Sequence, residues 1–127
     1  MASWDDVARL ALALPQTEER TSRGTRQWWV TSRGLFVWER PLRRSDLDAL
    51  GDAAPDGPIL GARVEHLGAK AALLADDPTV YFTTPHFDGS ASILVRLERV
   101  AAPELEELVV EAWLVRAPKR VAAAYLA

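Results

Sequence analysis

Polar and apolar positions alternate along the chain with a period that changes several times, and each change marks an element. Val7, Leu10, Ala11 and Leu14 stand at i, i+3, i+4 and i+7, the spacing of one helical face. Ser3 is a good N-cap for that helix, Asp5 and Asp6 lie in its first turn where the dipole favours carboxylates, and Pro15 ends it. Residues 16–26 are polar, with threonines and serines that suit either an edge strand or a mobile arm. Residues 27–30 and 35–39 are strand-like, joined by Thr31-Ser32-Arg33-Gly34, a hairpin type of connection. Residues 44–50 predict a short helix with Ser45 near its start. Residues 52–58, with two prolines and a glycine, predict a loop.

The second half continues with a strand over 59–65 and an Ala- and Leu-rich helix over 66–74 that stops before Asp76-Asp77-Pro78. A strand over 80–84, a turn over 85–89 and a long strand over 91–100 follow. In the last, Ile93, Val95 and Leu97 alternate with Leu94, Arg96 and Glu98. Such alternation buries one face and leaves the other at least partly wet, the habit of an antiparallel sheet covered on one side. Pro103 suits a first helical turn, Glu104, Glu106 and Glu107 favour the same helix N-terminus, and Leu105, Leu108, Val109 and Ala112 form its inward face, extended by Trp113 or Leu114. Pro118 breaks that helix before a last one over 119–126. The expected architecture is α+β: one domain over 1–127, an antiparallel sheet in two layers, helices packed largely on one face.

Composition narrows the chemistry. At 127 residues, 49% apolar and 26% charged, the chain has the make-up of a globular domain able to bury its own core. With no cysteine, disulfide scaffolds, thiolate zinc sites and cysteine nucleophiles are excluded together, and a reducing compartment is suited. The acidic N-terminus and the short apolar run 10–14 resemble neither a signal peptide nor a membrane span, so a cytoplasmic protein without a membrane partner is expected.

The formal net charge is only −3, but it is segregated. Residues 20–44 hold Arg20, Arg23, Arg26, Arg33, Arg40, Arg43 and Arg44 against Glu39 alone, a net +6. Residues 112–127 add Arg116, Lys119 and Arg120 without an acid, and the remainder of the chain is strongly acidic. Local fields of this kind decide what a surface attracts.

Sites for catalysis are scarce. His66 reads as a polar helix-start residue. His86 lies two residues from Asp88 and beside Thr83 and Thr84, a grouping that admits an oriented base, although Pro85 and Asp88-Gly89 also read as plain turn chemistry. The adjacent pairs Asp5-Asp6 and Asp76-Asp77 diverge and have no histidine at ligand spacing, so no metal is expected. No glycine pattern forms a phosphate loop, so no nucleotide cofactor is expected either. A binding protein rather than an enzyme is the expectation, with no catalytic residue assigned and Trp28, Thr84, His86 and Asp88 as candidate ligand contacts.

The remaining constellation interleaves Arg20, Arg23 and Arg26 with Trp28 and Trp29, then adds Arg33, Trp38 and Arg40. Guanidinium groups contact phosphates and an exposed indole stacks on bases, which would make this a nucleic-acid surface. On a strand Trp28 and Trp29 point to opposite faces. The competing reading buries one indole in the core and packs the other under a helix, with arginine stems covering apolar surface.

The tracts 78–89 (PTVYFTTPHFDG), 93–97 (ILVRL) and 104–120, with Trp113, Pro118, Lys119 and Arg120, together resemble the MmcQ/YjbR family of small bacterial proteins. The stretch from Leu14-Pro15 to Trp28 resembles it more loosely, and 39–61 matches poorly. The resemblance implies a two-layer fold similar to type III secretion chaperones and a DNA-binding function. It carries over no catalytic residue. Three functions are therefore expected in order. The first is DNA binding through Arg20, Arg23, Arg26, Arg33, Arg43 and Arg44 with Lys119 and Arg120. The second is a protein partner or homodimer docked on an exposed patch around Trp28, Trp29 and Trp38. The third is a small-molecule pocket at His86 and Asp88.

Overall fold

The computed structural model describes residues 1–127. Six antiparallel strands form one sheet in the order β1-β2-β3-β4-β6-β5. Helix α1 (Trp4–Leu12) precedes a three-stranded meander of β1 (Thr17–Ser22), β2 (Thr25–Val30) and β3 (Gly34–Glu39). Helix α2 (Arg44–Leu50) leads by a loop to β4 (Ile59–Arg63), then come α3 (Leu67–Asp76), β5 (Tyr81–Phe82) and β6 (Ser92–Arg96). The chain ends in α4 (Ala102–Arg116) and α5 (Lys119–Leu126).

Local chemistry explains the element ends. The Ser3 hydroxyl accepts the Asp6 N–H at 3.3 Å while the Asp6 carboxylate accepts the Ser3 N–H at 2.9 Å, a reciprocal capping box that starts α1. His66 caps α3 by accepting the Ala69 N–H on Nδ1 at 3.0 Å, the helix-start role expected of it. The α3 helix runs on through Asp76, one residue into the acidic pair where it was expected to have stopped.

Residues 16–26 resolve into edge strand β1 and the start of β2, not a mobile arm. The strand predicted over 80–84 is only two residues long, Tyr81–Phe82, and Pro85, which has no N–H for a ladder, opens the 3₁₀ turn that follows. The long strand predicted over 91–100 ends at Arg96, where the chain turns through a 3₁₀ segment, Leu97–Arg99, toward α4.

The main core lies between one face of the sheet and helices α1 and α4. Val7 and Ala11 of α1, Leu105, Leu108, Val109, Ala112 and Trp113 of α4, and Trp28, Phe36, Val37, Leu60, Ile93 and Val95 of the sheet are all buried there. The second face is not left wet throughout. Trp38, Ile59, Phe82, Phe87 and Leu94 form a smaller cluster on it, with Leu35, Leu42 and Leu50 packed alongside. Helix α2 and the 3₁₀ turn Pro85–Phe87 form that side of the structure. Leu94, expected on the partly wet face of its strand, is therefore fully buried. Trp38 lies flat on Gly61, where a β-carbon would overlap the indole.

Over β1, β2 and the near edge of β3 this second face has no helix above it. Gln27, Trp29 and Leu35 remain only partly buried there. No helix of the chain is long and apolar enough to cross a membrane.

Candidate functional site

At the boundary between the covered and uncovered halves of the second sheet face lies a cleft of about 610 Å³. The β1–β2 hairpin tip, the Arg40–Arg43 segment that leads into α2, and the Pro85–Phe87 turn form its walls. Each wall is held by its own device.

The hairpin tip is Arg23-Gly24, a two-residue loop in which both residues have positive φ, 53° and 79°. Turns of this kind match the twist of the flanking strands but suit Asn-Gly. Arginine at such a position costs on the order of 1 kcal/mol or more. The strain places an exposed guanidinium-bearing residue at the rim of the cleft.

The second wall rests on a buried ion pair. Arg40 Nη2 donates to Asp46 Oδ2 at 3.0 Å, both side chains being almost wholly buried, and Arg40 Nη1 donates to the Pro41 carbonyl. The same Asp46 oxygen accepts the Arg43 N–H at 2.8 Å, which caps α2 and orients the segment carrying Arg43. Burial works to raise the Asp46 carboxyl; the Arg43 N–H and the Arg40 charge outweigh it and hold the group below its ordinary value. The Thr84 hydroxyl is buried beside this carboxylate without a hydrogen bond of normal geometry.

The third wall carries His86. Phe87 packs downward, its ring 5.2 Å from the Arg40 guanidinium carbon. Lys70 reaches across from α3, its buried Nζ donating to the Phe87 carbonyl at 2.6 Å and the Ser90 carbonyl at 3.0 Å. Burial lowers its pKa, with Asp88 acting in the opposite sense. His86 and Asp88 share no hydrogen bond; the pair expected as an oriented base and its carboxylate is not assembled. Both are exposed on the loop.

The predicted arginines do not form one patch. Arg20 pairs with Glu18 at 2.8 Å and lies 4.2 Å from the Trp29 ring. Arg26 faces the other side of the sheet, bonded to Glu19 at 3.0 Å and Asp5 at 3.3 Å. Both charges are locally neutralised, and Glu18 and Glu19 are correspondingly held below their ordinary pKa by Arg20 and Arg26. Arg23 and Arg43 line the cleft with no acidic partner within salt-bridge distance, while Arg44 is exposed in the first turn of α2. Arg33 sits at the far end of the β2–β3 hairpin, its Nε 3.4 Å from the Arg116 carbonyl, with Lys119 and Arg120 just beyond at the start of α5. Along a six-residue strand the two ends stand roughly 17 Å apart.

Two expectations fail outright. Trp28 is not a ligand contact: its indole is buried on the helical face, stacked near Trp4, and donates to Glu19 Oε1 at 2.9 Å. Nor is there an exposed tryptophan patch, since Trp28 and Trp38 are buried and Trp29 lies beneath Arg20. Arg40, part of the arginine–tryptophan run but not among the expected DNA contacts, and Gln27, which the sequence did not single out, also line the cleft. Gln27 is two positions from Trp29 in a strand, so period-two alternation already placed both on one face.

No protein-family model matches the chain. It is 52% identical over 130 residues to a protein of Mycobacterium tuberculosis (strain ATCC 25618 / H37Rv) described as "Uncharacterized protein Rv2570", covering 100% of this chain and 98% of that one. The similarity to "Uncharacterized protein Mb2600" of Mycobacterium bovis has the same extent. Among solved structures, the crystal structure of the Deinococcus radiodurans protein DR2400, with domain DUF419, superposes with a TM-score of 0.66 over 91% of this chain and 78% of that chain, at 19% identity. That likeness is one of fold.

Proposed function

The chain belongs to the family of these mycobacterial proteins, and we propose that it is a nucleic-acid-binding protein, most simply DNA-binding, whose contact surface is the arginine cleft. The reading is carried by one observation. Arg23 and Arg43 line a concave site and neither is in a salt bridge, the one carboxylate of the lining, Glu39, accepting the Arg26 N–H at 3.0 Å, whereas Arg20 and Arg26 on the adjoining strands are paired. A pair of guanidinium groups outside any salt bridge at the mouth of a cleft is a site for phosphate oxygens.

Contacts of this type position a nucleic acid by its backbone and read little sequence. The cleft holds no assembled nucleophile–base pair, and the proposal is for binding without catalysis. The MmcQ/YjbR resemblance supports the same reading, since its implied two-layer fold agrees with the one described and its members carry a DNA-binding label.

Fluorescence anisotropy of a dye-labelled oligonucleotide at low salt tests the proposal. Binding by the wild-type protein that falls at least about tenfold in the double variant Arg23→Gln, Arg43→Gln is the expected result. Equal binding by the two proteins would move the site elsewhere, and no binding by either would end the nucleic-acid reading.

A further inference from the structure

Resting on that nucleic-acid reading, we infer that the ligand is a single strand: one unpaired base sits in the cleft, and its backbone continues along the β2–β3 hairpin to a second basic cluster at Arg63 and Arg116.

The cleft is not lined as a phosphate site alone. Beneath the arginine rim its surface includes Leu35, Trp38, Leu42 and Phe87. Gln27 stands among them with its Oε1 accepting the Trp29 indole N–H at 3.1 Å, which leaves its amide NH₂ free to donate. Apolar side chains in the floor, the Gln27 amide and a charged rim, with the Glu39 carboxylate held by the Arg26 N–H, match an unpaired base with its phosphate. In a duplex the base faces are stacked away and only phosphates reach a rim of this kind. The volume, about 610 Å³, lies in the range of pockets that enclose one small molecule and is far too small to admit a duplex.

The second cluster lies where the sheet opens. Strands β3 and β4 pair only from Val37–Glu39 against Leu60–Ala62. Before that point Arg116 of α4 reaches the backbone of β3, its Nε donating to the Leu35 carbonyl at 3.2 Å and its stem lying against Gly34. Arg63 of β4 stands over the Trp38 ring at 5.2 Å and donates to the Ser92 hydroxyl at 2.9 Å. Neither guanidinium has a carboxylate within salt-bridge distance. Burial, and then the nearby Arg116 charge, lower the Arg63 pKa, the situation an incoming phosphate relieves. The cluster adjoins the cleft through Trp38, and on the outer, uncovered strands Arg20 and Trp29 lie one over the other, a surface on which a second base can stack.

The test compares a dye-labelled single strand of about 12 nucleotides with the duplex of the same sequence by anisotropy, a length within the span of single-strand sites. The single strand is expected to bind about tenfold more tightly than the duplex. Arg63→Gln and Arg116→Met should each weaken the single strand about threefold or more, and Gln27→Leu should narrow the preference over duplex. Because Arg63 is partly buried, each variant is first melted by circular dichroism; should Arg63→Gln fail to fold, Arg116→Met and Gln27→Leu are read in its place. Equal or tighter duplex binding overturns the inference and leaves the nucleic-acid reading standing. Single-strand binding indifferent to both Arg116→Met and Gln27→Leu also overturns it. Binding of neither form overturns both.

Discussion

The cleft over the open sheet face and the groove between α3 and α4 are alike in size, about 610 and 680 Å³, and opposite in character. The groove carries Glu65, Asp76, Glu104, Glu107 and Glu111 over Leu73 and Leu108, with Arg63 at its edge. Glu104 among them has an account in the fold. Glu104 lies in the first turn of α4, where it complements the helix dipole and accepts the Tyr81 hydroxyl at 2.7 Å. Glu107 and Glu111 are exposed on the outer face of the same helix, one turn apart.

The arginines of the cleft have no such account. Arg23 occupies a backbone conformation that asparagine or glycine would hold at lower cost, and Arg43 is oriented by a buried ion pair that itself requires desolvation. The contrast separates charge that the fold uses from charge that the fold supports at its own expense. Only the second points to a ligand.

The largest effect expected to sharpen this contrast is on stability. Asp46→Ala strands the buried Arg40 guanidinium and should cost about 3–5 kcal/mol, whereas Glu104→Gln in the groove should cost about 1 kcal/mol or less. Urea titration measures both, and a tolerated Asp46→Ala would show that the cleft wall does not depend on the pair.

Next in size is binding. Arg23→Glu with Arg43→Glu should lower oligonucleotide affinity more than about tenfold, while Glu107→Gln with Glu111→Gln should change it less than about threefold, since the groove acids act only through the long-range field. Comparable effects from the two pairs would erase the distinction between the hollows.

The two regions should also respond to opposite extremes of pH. Asp46 has a folded pKa below its ordinary 3.8, so its stabilisation is complete above that value and is lost as pH falls through the folded one. Tyr81, raised by burial and then by Glu104, stabilises fully below its ordinary 10.0 and loses that contribution as pH rises toward its folded pKa. Thermal melts across pH should show the acid limb flattened in Asp46→Asn and the alkaline limb flattened in Tyr81→Phe. Limbs unchanged in these variants would assign the pH limits to other groups.

The smallest effect is the most specific. Arg23→Asn should raise stability by about 0.5–1 kcal/mol, because Asn-Gly suits the turn, while weakening nucleic-acid binding. A gain in stability without a loss in affinity would mean that the strain at Arg23 serves nothing in the cleft.

Much of the fold was legible in the sequence because local signals carried it. Ser3 and Asp6 announce α1, Pro103 announces α4, and the short helix at 44–50 and strand from 59 appear where the pattern placed them. What failed depended on the partners across the sheet. Leu94 alternates like a half-wet strand residue, and only the packing of the α2 side and Phe87 makes it core. The pair Trp28-Trp29 says that the indoles diverge but not which one faces α1.

The candidate site was legible in part for the same reason. The arginine run was visible, yet its division was set by pairing: β1 brings Glu19 opposite Trp28 and beside Arg26, and Glu18 shares a face with Arg20 two residues on. The second of these follows from strand period alone. The meeting of Arg23, Arg43 and His86, from three separate segments, is a product of tertiary structure and has no local signature.

The salt dependence of single-strand affinity, measured for the wild-type protein and for Arg23→Asn, Arg43→Gln together, tests the role of the cleft most directly. With two phosphate contacts removed, the slope of log affinity against log salt should become shallower by about 1.4. Equal slopes for the two proteins would contradict phosphate binding at the cleft.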